Sequence, residues 1–396
     1  MWLIREMLSF LNLNEENQSN SEMVEPEQIT ENAILYDQIE TEKNNVIITD
    51  EYNNQDFIND DTAEEVDQSS NSDTVGVYGD LSYFGFSIKG LSHKKTNMGC
   101  QDACLLKPIT SKSNIFIAAI ADGLGSCKYS DAGANIAIHA AANYLEKQLE
   151  EDNDSDEDCM VAYLKEAMNV ALLKVESVAE KNNRSVYEYC STLTVVVYNE
   201  NTAFIAHAGD DGVVVINDTG QYGLITTRHK GETASSVMPL QNRDTWEFLI
   251  VRNIASVIMA TDGVLNSFVH KEKEQNRLLF PFISPLTRLG NKEEDVKNIM
   301  SEYLDLFQSD EYQEMVEDDL TFVVIVNSAL LAKATFSPFD KEKWLDMNTR
   351  RNIEIFKTLY PAQPLTYKTI YGWRNNDKDR ILMMLLEKRF KEKPNN

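Results

Sequence analysis

Four aspartates stand where apolar stretches begin or end. Asp102 opens one such stretch, Asp122 and Asp262 each follow one and precede a glycine, and Asp318 precedes another. Strand ends can meet in space although they lie far apart in sequence, so these carboxylates could converge on one site. They offer oxygen donors only, which suits hard cations such as Mg²⁺ or Mn²⁺ and disfavours zinc or copper. Taken singly, each Asp-Gly pair also reads as a turn, the glycine supplying positive φ and the aspartate capping the loop. The five histidines show no metal-ligand spacing along the chain. No G-x-S-x-G is present, and none of Cys100, Cys104, Cys127, Cys159 and Cys190 stands in a recognised catalytic context, so a serine or cysteine nucleophile is disfavoured.

The elements that must position these aspartates follow from hydrophobic period. FGFSIKG from Phe84, DACLLKPI from Asp102 and NIFIAAIA from Asn114 read as strands, the last apolar enough to be buried on both faces. Asp131–Glu150 and Cys159–Lys181 repeat Ala, Ile, Leu and Val at helical spacing. STLTVVVY, TAFIAHAG, GVVVIND, YGLITT, EFLIV and VIMATDG then read as a run of mostly antiparallel strands, closed by a helix over Lys292–Phe307 and a strand at LTFVVIV. The expected fold is α+β, two packed antiparallel sheets flanked by helices in α-β-β-α layers.

Composition divides the chain further. Residues 1–78 hold 19 acidic and two basic residues with few aromatics, and read as an acidic, mostly disordered arm. Its first stretch, Met1–Leu13, reads as a frayed leader or as an amphipathic anchor or partner helix. Residues 79–330 hold the strand-rich body, and 331–396 a helical C-terminal extension of unknown role. The net charge of −27 argues against nucleic acid as a partner, since duplex affinity depends on Lys and Arg. No apolar run reaches membrane-spanning length, and the odd number of cysteines without paired short spacings fits a reducing, cytoplasmic setting.

Six segments then stand in register: GLSHKKTNMGCQDA (90–103), AIADGLGSCKYSDAGA (119–134), CSTLTVVV (190–197), AHAGDDGVVV (206–215), VIMATDGVLNSF (257–268) and EDDLTFVVIV (317–326). In this order they resemble the type-2C metal-dependent protein phosphatases, and more narrowly the bacterial branch. The resemblance implies that Asp122 bridges two metal ions with the Gly123 carbonyl as a further ligand. It implies that Asp262 and Asp318 complete the other ion's shell and that Asp102 holds coordinated waters or a metal directly. Asp210, in the GDDG turn, resembles the position that helps hold a weaker third metal, and reads equally as a turn cap. Two ions, Mn²⁺ or Mg²⁺, would activate a water nucleophile without a protein base or a covalent intermediate.

Departures from the pattern leave some roles open. Where relatives carry a phosphate-gripping arginine this chain has Asn97, with Lys94 and Lys95 just upstream as substitutes or as ordinary solvated lysines. Leu124 stands where some relatives place a histidine, which makes His93 the alternative proton donor. Asp319 replaces the usual Asn and reads either as a hydrogen-bond support for Asp318 or as an extra carboxylate that raises local proton affinity. Thr227–Arg243 resembles the flap beside the site in relatives. The resemblance implies a serine/threonine protein phosphatase acting on phosphorylated proteins, a cognate Ser/Thr kinase or its targets among them. The rival reading is a catalytically silent, phosphatase-like binding module.

Overall fold

The computed structural model describes residues 74–338, apart from 113, 152–155, 230–236, 273–274, 279–281 and 333. Most of the acidic arm and of the C-terminal extension therefore lies outside the described residues. Two edges of the body differ from the composition boundaries. Thr74–Tyr78 is a strand, β1, paired antiparallel with β2 (Leu81–Ile88). Its reason is local: Tyr78 packs edge-on against Phe116 and donates its hydroxyl to the carbonyls of Ile109 and Lys112, both at 2.8 Å. Five residues are too few to outweigh the acidic composition around them. At the other edge Ser337–Pro338 (β14) lies parallel to β8 (Gln221–Leu224), beyond the boundary at 330.

Two sheets form the body. One holds β3 (Ala103–Pro108), β4 (Ile115–Ala121), β5 (Leu193–Asn199), β6 (Thr202–Ala208) and β9 (Glu247–Val251), in the order β3-β4-β5-β6-β9. The other runs β1-β2-β13-β10-β7-β8-β14, with β7 (Gly212–Asn217), β8 (Gln221–Leu224), β10 (Ile254–Ala260) and β13 (Leu320–Asn327). All pairs in both sheets are antiparallel except the short β8–β14 edge. A separate hairpin joins β11 (Val269–Glu272) to β12 (Gln275–Leu278).

Strand alternation explains the layers. In β4, Phe116, Ala118 and Ile120 face the core between the sheets, with Val213, Val215, Val257, Met259, Val323 and Ile325 opposite. Ile117, Ala119 and Ala121 face the other way, into a core shared with α2 (Ser130–Glu151) and α3 (Glu157–Lys181). Both faces of β4 are thus covered, which is why its sequence is apolar without a break. Helix α3 begins where the Asp156 carboxylate accepts the Cys159 N–H at 2.8 Å. The outer face of the larger sheet is aromatic. Phe84, Phe86 and Phe322 meet Tyr303 and Phe307 of α5 (Glu293–Phe307) at centroid separations between 4.6 and 6.1 Å. A fully buried ring of this kind stabilises by roughly 1.5–3 kcal/mol, so this seam, more than helix propensity, fixes α5. The result is the α-β-β-α arrangement expected from the sequence. Short helices complete it: α1 (Leu91–Thr96), α4 (Asp262–Phe268), α6 (Asp310–Met315) and α7 (Ser328–Leu331).

One contact sets the loop after β4. A side chain on Gly133, in the first turns of α2, would collide with the Tyr189 carbonyl, so the helix rests backbone to backbone on the 3₁₀ turn Val186–Tyr189.

Candidate active site

Ladder register gathers the acidic loops at one end of the molecule. Ala103 pairs with Ala121, so Asp102 and Asp122 extend neighbouring strands on the same side. Leu193 pairs with Ala208, which brings Ser191–Thr192 and the Gly209–Asp211 turn alongside. In the larger sheet Ala260 pairs with both Gly212 and Phe322, so Asp211, Asp262 and the Asp318–Asp319 pair leave three adjacent strands at that end. The two sheets are joined there by the Thr261 hydroxyl, which donates to Asp102 Oδ2 at 2.8 Å and accepts the Thr321 N–H at 3.0 Å.

Asp122 is held from both sides. Its N–H donates to Thr192 Oγ1 at 2.7 Å, its carbonyl accepts the Thr192 N–H at 2.8 Å, and Thr192 Oγ1 donates to Asp211 Oδ2 at 2.5 Å. Gly123 follows in a bridge to Ser191, its N–H donating to the Gln101 carbonyl at 3.1 Å. A Cβ there would stand 2.7 Å from the Ser130 carbonyl and 2.9 Å from that of Gln101, so only glycine lets three backbones pass this closely.

Electrostatics bind the cluster into one unit. Burial raises Asp122 well above the ordinary carboxylate range, and Asp102, Asp262, Asp211 and Asp318 raise it further. Asp102 is raised by burial and then by Asp319, against the Thr261 hydrogen bond that lowers it. Asp211 is raised by burial, with the Thr192 hydrogen bond lowering it and Asp210 and Asp262 raising it. Asp318 is pushed up to about 6 by burial and by Asp262. Carboxylates that oppose one another's ionisation at neutral pH call for cations between them. The donor set is all oxygen, so hard divalent cations fit it.

The flanking residues fall as follows. His93 on α1 places Nδ1 2.9 Å from Asp319 Oδ2. Asp319 also accepts the N–H groups of Gly90 and Gln101, both at 2.6 Å, and donates its own N–H to Asp318 Oδ1 at 2.9 Å. It thereby supports Asp318 and ties both ends of the loop that carries His93. Lys94 and Lys95 are turned elsewhere. Lys94 Nζ donates to Gln313 Oε1 and Lys95 Nζ to Glu317 Oε1, each at 2.9 Å. In these rotamers neither ammonium faces the aspartates. Arg228 does face them, a residue the sequence did not single out. Its Nη2 lies 3.8 Å from Asp262 Oδ2 and 3.9 Å from Asp210 Oδ2.

Residues 89–305, more than half of the chain, match the family model described as Protein phosphatase 2C. The chain belongs to the protein phosphatase 2C family. It is an enzyme of the serine/threonine phosphatase class. Serine/threonine-protein phosphatase 3 of Escherichia coli (strain K12) is 24% identical over 250 residues, spanning 60% of this chain and 95% of that protein. The serine/threonine phosphatase Stp1 from Staphylococcus aureus is 18% identical with a TM-score of 0.44, covering 62% of this chain and 94% of that one. The catalytic domain of PstP, solved with two manganese ions, is 16% identical with a TM-score of 0.41, covering 62% and 97%.

Beside the acidic cluster this phosphatase has a second buried polar group that sequence spacing concealed. His207 (β6), His229 and Glu247 (β9) bring ligand-type atoms within 4.8 Å of one another. Their hydrogen bonds are already committed within the protein. His207 Nε2 stands 3.0 Å from the Thr227 carbonyl, which can only accept, so that nitrogen carries the proton and Nδ1 accepts from Thr194 Oγ1 at 2.8 Å. Glu247 accepts the Thr227 N–H at 2.8 Å and the Thr227 hydroxyl at 3.1 Å. His229 Nε2 lies 4.0 Å from Glu247 Oε2, and the His229 backbone N–H donates to the Gly209 carbonyl at 2.8 Å. The group works as an anchor for Thr227 and His229, on either side of Arg228.

Proposed function

We propose that this phosphatase hydrolyses phosphoserine or phosphothreonine esters on proteins with two divalent cations, Mn²⁺ or Mg²⁺. The residues that would hold them are Asp122, Gly123, Asp262 and Asp318, with Asp102 beside them and Asp210 at a weaker third position. When bound, such ions lower the pKa of water toward neutrality and offset charge on the phosphoryl oxygens. The observation that carries the reading is the convergence of Asp102, Asp122, Asp262 and Asp318 from both sheets into one mutually repelling group.

The protein's own groups supply orientation. Thr192 fixes the Asp122 backbone on both sides, and Thr261 holds the Asp102 carboxylate, so both residues are positioned before substrate arrives. His93 is the proton donor proposed for the leaving serine or threonine oxygen. With Nδ1 turned to Asp319, Nε2 is the nitrogen that can hand a proton over. The partner is a phosphorylated protein, a cognate Ser/Thr kinase or its targets being the proposed class. A cytoplasmic setting is supported by five cysteines, none in a disulfide. Among the described residues no helix is long and apolar enough to cross a membrane.

The test is direct. The purified full-length chain should release phosphate from an aryl phosphate and a phosphoserine peptide with Mn²⁺, and stop when a chelator is added. Turnover unchanged by chelation would reject the metal assignment, and preference for a nucleotide over the peptide would reject the protein substrate.

A further inference from the structure

We propose that Arg228 binds the phosphoryl group of the substrate, an inference that rests on the phosphatase reading above. Its placement is the argument. Thr227 is tied to Glu247 and His207 on one side, and His229 to the Gly209 carbonyl on the other. The intervening side chain is thereby aimed at the acidic cluster, where its side chain is only 13% exposed. Two neutral acceptors then fix the guanidinium: Nε donates to the Asp210 carbonyl at 2.8 Å and Nη2 to Asn266 Oδ1 at 2.9 Å.

The kind of acceptor decides the role. Asp210 and Asp262 attract Nη2 from 3.9 and 3.8 Å, outside hydrogen-bonding range, so the carboxylates neither consume nor fix its donors. Cations bound to those carboxylates would cancel that attraction, while a backbone carbonyl and an amide oxygen would go on holding the side chain in place. A positive, planar, immobilised fork would then remain at the rim of a neutralised site, and that is the group which matches a tetrahedral oxyanion. Nη1 makes no hydrogen bond among the described residues, which leaves its two donors for phosphoryl oxygens. Lys94 and Lys95 do not compete for the task, being turned to Gln313 and Glu317.

The experiment compares full-length wild type with Arg228→Ala, Arg228→Gln and Arg228→Lys. KM and kcat are measured on an aryl phosphate, and calorimetry gives the affinities for Mg²⁺ and, in the Mg²⁺-loaded protein, for inorganic phosphate. Expected in the Ala and Gln variants is an about tenfold weaker phosphate affinity with a parallel rise in KM, from loss of charged hydrogen bonds. The Lys variant should recover part of it through charge without the fork. Mg²⁺ should bind as tightly as in wild type or tighter, because a competing cation has gone. Phosphate affinity and KM within about twofold of wild type in all three variants would overturn the proposal. So would a rise in KM matched by an equal loss of Mg²⁺ affinity, which would place Arg228 in the scaffold. A wild type that releases phosphate from no ester would sink the phosphatase reading instead, while the phosphate titration would still decide on Arg228.

Discussion

Two polar groups lie side by side in this molecule, and they are built on opposite terms. Around Thr227 the charges and dipoles close on themselves: Glu247 takes both Thr227 donors, and His207 gives one proton and accepts another. Around Asp122 they do not, since neighbouring carboxylates raise the proton affinity of Asp102, Asp122, Asp211 and Asp318, and Arg228 stands 3.8 Å from Asp262 and 3.9 Å from Asp210, outside hydrogen-bonding range. A satisfied network adds rigidity, whereas an unsatisfied one stores demand for a ligand. The contrast therefore separates scaffold from candidate site without reference to any relative. The two meet through Thr194, which touches His207 at 2.8 Å and Asp211 at 3.4 Å, so the rigid group braces the needy one.

The contrast can be broken or sharpened by substitution. The largest effect is expected on turnover. Asp122→Ala or Asp262→Ala should lower kcat at least about a hundredfold. Asp122→Ala should also leave the metal-free melting temperature unchanged or higher, because a raised carboxylate opposes folding at neutral pH. A variant with near-normal turnover, or one that melts well below wild type, would merge the two groups. Next comes Glu247→Ala, which orphans the Thr227 N–H and hydroxyl and should cost roughly 2–3 kcal/mol of stability in denaturant titration. A loss below about 0.5 kcal/mol would show that the network is not a brace.

The smallest expected effect is on pH dependence. Asp318 titrates near 6 in the folded chain against an ordinary 3.8, and Asp102, Asp122 and Asp211 are also raised. The metal-free fold then holds more protons than the unfolded chain, so its stability should rise as pH falls from about 7 toward 5. Mg²⁺ should reverse this, raising the melting temperature more at pH 7.5 than at 5.5. A metal shift independent of pH would remove Asp318 from the site.

Much of this was readable in the chain. Strand-end aspartates followed by glycine, as in Ala121-Asp122-Gly123 and Thr261-Asp262-Gly263, announce themselves because strand, turn and carboxylate are adjacent in sequence. β4 and β13 were equally plain, being buried on both faces. Arg228 was not, because nothing within several residues of it in sequence gives away its proximity to Asp262; that depends on Thr227 being pinned from β6 and β9. His207, His229 and Glu247 were hidden for the same reason, since β6 and β9 are neighbours in space through the pair His207–Glu247 but forty positions apart along the chain. Helix α1 was not legible either, since its one turn and a half carries no buried residue to set a hydrophobic period.

The seat of Gly133 on Tyr189 has a last consequence. Residues 122–129 are strung between two posts, a strand laddered on both edges and a helix whose main chain touches another main chain with nothing soft between them. Neither post can slide to take up slack. A residue inserted in that span would have to balloon toward solvent, and one removed would drag Asp122 out of line, so the span's length should be as hard to change as any side chain in the cluster it serves.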